Sequence, residues 1–161
     1  MPSLKIATTS DISAIYQLAS EIWYDHYLSI ITAEQIEYML DKFYSPQALE
    51  KSIREGQLIY LINNESKISI GYLAVTEKQP RHWFMNKFYI QTQIQGKGIG
   101  ADILKQWENL AQPKELSLQV NRKNFKSINF YFKTGFVIKE VADFDIGNGY
   151  SMDDFIMVKR Y

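Results

Sequence analysis

Three glycines in five residues, within Gln95-Gly96-Lys97-Gly98-Ile99-Gly100, constrain this chain more than any other feature. Glycine loses more backbone freedom on folding than any other residue, so so dense a run is costly unless the backbone needs it. The run lies between a β-prone, aromatic-rich stretch, Trp83 to Ile90, and a helical stretch from Gly98 to Ala111. Alternate glycines let successive N–H groups converge on one point, and a helix N-terminus adds unpaired amides and about half a unit of positive charge. A loop of this kind suits a phosphate or pyrophosphate. The plain alternative is a turn leading into a glycine-rich helix start.

The rest of the chain narrows the ligand. Gly96, Gly98 and Ala101 meet a loose dinucleotide fingerprint, but some twenty residues on stands Asn121 rather than an acidic ribose ligand. No G-x-x-x-x-G-K-[ST] sequence occurs, which excludes a P-loop nucleotide site. Cysteine is absent, which removes disulfide scaffolds, thiolate metal sites and cysteine nucleophiles. The two histidines, His26 and His82, are isolated from any H-E-x-x-H spacing, so no metal site is expected. No G-x-S-x-G elbow is present. Eighteen basic residues balance eighteen acidic ones, against the basic excess of a nucleic-acid or membrane-surface binder. No apolar run approaches the ~20 residues of a membrane span, and the first ten residues do not read as a secretory signal. A cytoplasmic protein is the expectation. The 161 residues, 46% of them apolar, predict a single domain over 1–161.

Periodicity supplies the element order. Ile12, Ile15, Tyr16, Leu18, Ala19, Ile22 and Trp23 mark one helix face, with Ser10 or Asp11 as its cap. Thr32 and Gln35 form a capping box for a second helix through Phe43. Ser45-Pro46 opens a short third helix that Gly56 stops. Leu58–Ile62 and Ile68–Val75 predict a hairpin around Asn63-Asn64, and Trp83–Ile90 a third strand. After the glycine loop and its helix come a strand at Leu116–Val120, a helix at Asn124–Lys133 ended by Gly135, and strands at Phe136–Ala142 and Phe155–Val158. This order predicts an α/β (α+β) fold, a mixed and mostly antiparallel central sheet with helices on both faces.

Two motifs agree in order and distance. Phe88-Tyr89-Ile90 followed by Gln95, Gly98 and Gly100 resembles the Q/R-x-x-G-x-G/A acetyl-coenzyme A signature of the GNAT N-acetyltransferases. Downstream, Asn124, Ser127, Tyr131 and Gly135-Phe136 resemble that family's second half. Thr92 stands where a proline is common, and Gln95 where arginine is more frequent; neither removes the backbone amides of the loop. The resemblance covers residues 3–160. Trp23, Tyr27, Gln35, Tyr38-Met39-Leu40 and the stretch from Ile146 to Asp154 are most similar to the polyamine-acetylating branch.

The resemblance implies acetyl-coenzyme A as co-substrate, held by Phe88, Tyr89, Ile90, Gln95, Gly96, Lys97, Gly98, Ile99, Gly100, Asn124, Tyr131 and Lys133. It implies direct transfer to a small-molecule primary amine in a ternary complex, on a polyamine or other small amine. The alternatives are a protein N-terminal or lysine acetyltransferase, and a catalytically silent coenzyme-binding regulator. Tyr131 is the implied general acid, its ordinary phenol pKa of about 10 lying near the leaving thiol's ~8.5. The same residue also suits a core position beside Ile128 and Phe132. Trp23, Tyr27 and Tyr38 are candidate acceptor residues that would hold an ammonium by cation–π contact, although Trp23 equally suits packing between two amphipathic helices. Glu21, Asp25, Glu34, Glu37 and Asp41 read as a solvated helix face or as an attraction for a polycation. The general base is left open, and a homodimer is compatible with the resemblance.

Overall fold

Each apolar stripe in the sequence becomes one side of a layered core. The computed structural model describes residues 1–161, with strands β1 (Ser3–Ile6), β2 (Leu58–Asn63), β3 (Ser69–Gln79), β4 (His82–Ile90), β5 (Glu115–Asn121), β6 (Val137–Gly147) and β7 (Tyr150–Arg160). The helices are α1 (Ile12–Tyr27), α2 (Ala33–Tyr44), α3 (Pro46–Arg54), α4 (Ile99–Ala111) and α5 (Phe125–Lys133). The seven strands form one sheet in the order β1-β2-β3-β4-β5-β7-β6. Only β4 and β5 run parallel. The expected mixed, mostly antiparallel sheet with helices on both faces is the fold observed.

Helices α1 to α3 pack on one face, where Ile15, Ile22, Trp23, Ile36, Tyr44 and Leu49 meet Ile59, Leu61, Tyr72 and Ala74. Helices α4 and α5 cover the other, with Leu104, Trp107, Ile128 and Tyr131 against Leu73, Val75, Met85, Leu116 and Leu118. Most of the signals that start and stop these helices act as the sequence indicates, although the Thr32–Gln35 box closes only on one side, the Gln35 side-chain amide donating instead to the Ser151 carbonyl at 3.4 Å. Thr32 Oγ1 accepts from the Gln35 N–H at 3.2 Å, and Ser45 Oγ from Ala48 at 3.2 Å. At the end of α5, Gly135 adopts a φ of +100° and Phe136 N–H donates to the Tyr131 carbonyl at 2.9 Å.

Three features differ from the sequence reading. Strand β1 is unexpected, because four residues are too short a run to mark a strand and gain strand geometry by pairing with Tyr60–Asn63 far along the chain. Asp11, one of the two expected caps, does stand at the N-cap of α1, but its carboxylate accepts from the Thr8 N–H at 2.9 Å across a preceding 3-10 turn instead of from a helix N–H. Strands β6 and β7 extend into one long hairpin whose two-residue turn, Asn148 and Gly149, has φ of +54° and +78° at both positions.

A register shift in β4 decides where the sheet opens. Ala74 pairs with Lys87 but Val75 with Met85, leaving Asn86 as an extra residue. Its side-chain oxygen accepts from Thr76 Oγ1 at 2.8 Å. A bulge bends the strand and reverses which residues face each side. Before it Met85 points toward α4 and α5; after it Lys87 and Tyr89 point toward α1 to α3. The last β4–β5 pair is Met85 with Leu118, so beyond the bulge the two strands part.

Strand β4 past the bulge is held only by β3, and Gly71 permits that contact. A Cβ at Gly71 would lie 2.3 Å from the Tyr89 carbonyl oxygen. We expect Gly71→Ala to lower unfolding free energy by about 2–3 kcal/mol in urea denaturation. Unchanged stability would show that β4 shifts freely at this point.

Candidate active site

The parting of β4 from β5 makes a cleft through the sheet, with a cavity on either side. One, of about 500 Å³, lies on the α4–α5 side and is lined by Tyr89, Ile90, Gln95, Gly98, Gly100 and Lys133 among others. The second, of about 430 Å³, opens toward α1 to α3. Phe88, Tyr89, Ser127 and Tyr131 line both, so the two cavities meet at these residues.

In the first cavity the glycine loop has the geometry of an anion cradle. Gly96 and Gly98 have φ of +86° and +77°, and a Cβ on either would point into open space. The N–H groups of Gly98, Ile99, Gly100 and Ala101 have no acceptor within the protein. They are the unpaired donors of the first turn of α4, and they face the cavity whose wall this loop forms. Gly100 does something different: a Cβ there would lie 3.2 Å from the Phe130 ring, so this glycine lets α4 and α5 approach. Gln95 turns inward, its amide donating to the Ile90 carbonyl at 2.7 Å and tying the loop to the end of β4. The donor set fits a coenzyme pyrophosphate. Lys133 lines the same cavity, whereas Lys97 does not.

Tyr131 lies at the junction, carried inward by α5 and only 8% exposed. Its hydroxyl approaches Met85 Sδ at 3.9 Å. Burial, with Tyr27 nearby, raises its pKa well above the ordinary phenol value. The near-match in acidity that ordinary values suggest therefore does not hold, and the phenol is a neutral donor throughout the neutral range. Asn124 caps α5, accepting from the Ser127 N–H at 3.2 Å, while its amide nitrogen lies 3.2 Å from His26 Nε2. The same His26 lines the first cavity, and burial together with Lys126 lowers its pKa.

The second cavity has an aromatic wall. Trp23 stacks on Tyr27 with ring centroids 4.6 Å apart, and the Tyr27 and Tyr89 hydroxyls are 2.9 Å apart. Burial pushes the Tyr27 phenol up to about 12. The Trp23 indole N–H lies 3.2 Å from both the Tyr44 and Tyr72 hydroxyls, so Trp23 lines the cavity while being fixed in the core. Tyr38 is not brought to either cavity. Its hydroxyl donates to the Ile146 carbonyl at 2.7 Å and its ring stacks on Tyr150, which locks α2 to the β6–β7 hairpin. Glu21, Asp25, Glu34, Glu37 and Asp41 are solvent-exposed and outside both cavities.

Lys42, Lys51, Glu55, Lys87 and Asp154 line the second cavity without having been singled out by the sequence, and burial shifts the last two. Asp154 is 1% exposed, and neither carboxylate oxygen has a hydrogen-bond partner. Desolvation raises its pKa to about 6; Arg122 opposes the shift, and Asp153 and Asp143 add to it. Lys87 projects from the other wall, its pKa lowered to about 8 by burial alone. A signal for Asp154 exists in the alternation of β7, where Met152, Asp154, Ile156 and Val158 share one side and the acid interrupts an inward apolar row. Nothing local marks Lys87, because its direction depends on the bulge.

The sheet is thus split beside one parallel pair, with an amide cradle on one side and an aromatic, charged cavity on the other. Residues 27–147 match the family model described as acetyltransferase (GNAT) domain. The chain belongs to the GNAT family, the acetyl-coenzyme A-dependent N-acetyltransferases. Among solved structures it is similar to the PaiA N-acetyltransferase of Thermoplasma acidophilum in complex with coenzyme A, at 25% identity, over 100% of this chain and 99% of that one, with a TM-score of 0.80. A GCN5-related N-acetyltransferase of Rhodopseudomonas palustris shares the fold at 16% identity, covering 100% and 96%, with a TM-score of 0.81. The dodecameric spermidine N-acetyltransferase of Vibrio cholerae does so at 17% identity, covering 99% and 93%, with a TM-score of 0.68. Comparison with curated protein sequences finds no match.

The raised pKa of Asp154 has a stability consequence. Between about pH 4 and pH 6 the folded state holds a proton that the unfolded chain has released, so stability falls as pH rises and the deficit persists above pH 6. We expect Asp154→Asn to match the native chain near pH 4 and to exceed it at pH 7 by up to about 3 kcal/mol in denaturant titrations. A gap that did not change with pH would contradict an uncompensated carboxylate at this position.

Proposed function

We propose that the chain transfers the acetyl group of acetyl-coenzyme A directly to a small primary amine held in the cavity beneath α1 to α3. The observation that carries this reading is the meeting of the two cavities at Tyr89 and Tyr131, which lets donor and acceptor approach through the cleft. The coenzyme supplies an activated thioester. The amides at the start of α4 bind its pyrophosphate, and the unpaired edge of β4 past Met85 runs beside its pantetheine arm. Asp154 takes the proton that an alkylammonium must lose before its nitrogen can attack; the C–N bond forms, the C–S bond breaks, and the second N–H proton that the nitrogen then sheds restores the phenol that protonates the leaving sulfur. Tyr131 gives its phenolic proton to the departing sulfur. Lack of cysteine leaves no thiol on the chain to carry the acetyl group, in keeping with transfer in a ternary complex.

The finer reading of the acceptor as a polyamine rests on the sequence resemblance. The Trp23–Tyr27 wall and Asp154 support it, since an ammonium favours both an aromatic face and a carboxylate. Lys42, Lys51 and Lys87, which line the same cavity, speak against a long polycation. The proposal takes residues 1–161 as one domain of a cytoplasmic enzyme, active alone or as a homodimer.

Calorimetric titration with acetyl-coenzyme A tests the donor side, and absence of binding would overturn the proposal. Tyr131→Phe tests the chemistry. Turnover should fall by about 10²–10³-fold while coenzyme affinity stays within about threefold, because only the proton donor is removed. Equal turnover in both proteins would remove Tyr131 from proton donation.

A further inference from the structure

Lys87 is a half-buried ammonium without a counter-charge. It emerges on the α1–α3 side of β4, immediately after the bulge. Its Nζ donates to Gln57 Oε1 at 3.2 Å and lies 5.1 Å from the centre of the Tyr44 ring. No carboxylate lies within ion-pair distance of it. An amide oxygen and an aromatic face tolerate a cation, but neither neutralises it, and two of its three donors are left for something in the cavity.

Asp154 is its opposite on the same cavity. Both oxygens are buried and unpartnered, and the neighbouring guanidinium does not reach them. Arg122 instead donates to Asp143 Oδ1 at 2.8 Å and to the Asp154 backbone carbonyl at 3.1 Å. The only other carboxylate on the cavity is Glu55, which faces Lys51 at 3.9 Å. Burying two charges that do not pair with each other is expensive. A ligand carrying both signs offsets both costs at once; a polyamine offsets only one and adds repulsion at the other.

Resting on the acetyltransferase reading, we propose that the acceptor is an amine that also carries a small oxyanion, a carboxylate or phosphonate, with the anion held by Lys87 and the amine directed to Asp154. Tyr27 and Trp23 then flank the carbon chain between them. Tyr131 lines the same cavity at the cleft, where the thioester would arrive, and Lys87 reaches the opposite way to Gln57, just past α3.

Matched acceptors test this. Acetyl transfer is followed by thiol release at saturating acetyl-coenzyme A, comparing γ-aminobutyrate with butylamine, β-alanine with propylamine, and aminomethylphosphonate and spermidine alongside. We expect the anionic member of a pair to have the higher kcat/KM by about 100-fold, carried mainly by KM. The carboxylate and phosphonate arms decide which oxyanion is preferred. Lys87→Met should bring the ratio within a pair close to one, and Lys87→Arg should retain most of it. Spermidine or butylamine used as well as the anionic amines, or a Lys87→Met variant that lowers both members alike, would overturn the inference. Calorimetry separates this inference from the reading beneath it. Acetyl-coenzyme A binding and turnover without anionic preference refutes the Lys87 site alone. Binding of γ-aminobutyrate that Lys87→Met abolishes supports the site even where no acetyl is transferred.

Discussion

The parting of β4 from β5 after a single parallel stretch is the constraint on which the rest of the molecule depends. Four residue pairs, from His82–Glu115 to Met85–Leu118, hold the two halves of the sheet together. Past them, the extra residue at Asn86 turns β4 away while β5 continues straight in its pairing with β7. A continuous sheet would leave no passage between its faces. The bulge opens one at a cost of a few backbone hydrogen bonds, and the Asn86–Thr76 contact holds its geometry.

Everything that faces the passage is placed by packing on one side or the other. On the α4–α5 side, Gly100 lets the Phe130 ring come close, and the Gly135 turn ends α5 with Tyr131 pointing inward. On the α1–α3 side, Trp23, Tyr44 and Tyr72 share a hydrogen-bonded cluster beneath Tyr27 and Tyr89. Long aromatic side chains with satisfied polar ends make a wall that does not collapse into the cavity.

The charges of Lys87 and Asp154 are where burial is least compensated. Each is buried beyond what its partners compensate, which is why burial moves Asp154 up and Lys87 down in pKa. The exposed acids of α1 and α2, more numerous and more visible in the sequence, have no part in either cavity. Desolvation rather than number is what shifts the charges that matter to these cavities.

Local physics made much of this legible in advance. The glycine run dictated an amide cradle because its two left-handed residues are conformations that only glycine adopts cheaply. Helix caps at Thr32 and Ser45 and the stop at Gly135 act within four residues of themselves, so they too could be read directly. Strand β1, the bulge at Asn86 and the inward turn of Lys87 could not, since each exists only because a distant segment pairs with it. Tyr38 illustrates the same limit. An aromatic residue on an amphipathic helix suits a cleft or a core equally well, and only the arrival of the β6–β7 hairpin, with the Ile146 carbonyl as its partner, assigns it to the core. By itself the sequence determined the amide cradle and the order of elements, which depend on backbone conformation and short-range periodicity. The tertiary structure alone decided the acceptor cavity, because which side chains share a desolvated space depends on register and packing between segments far apart in the chain.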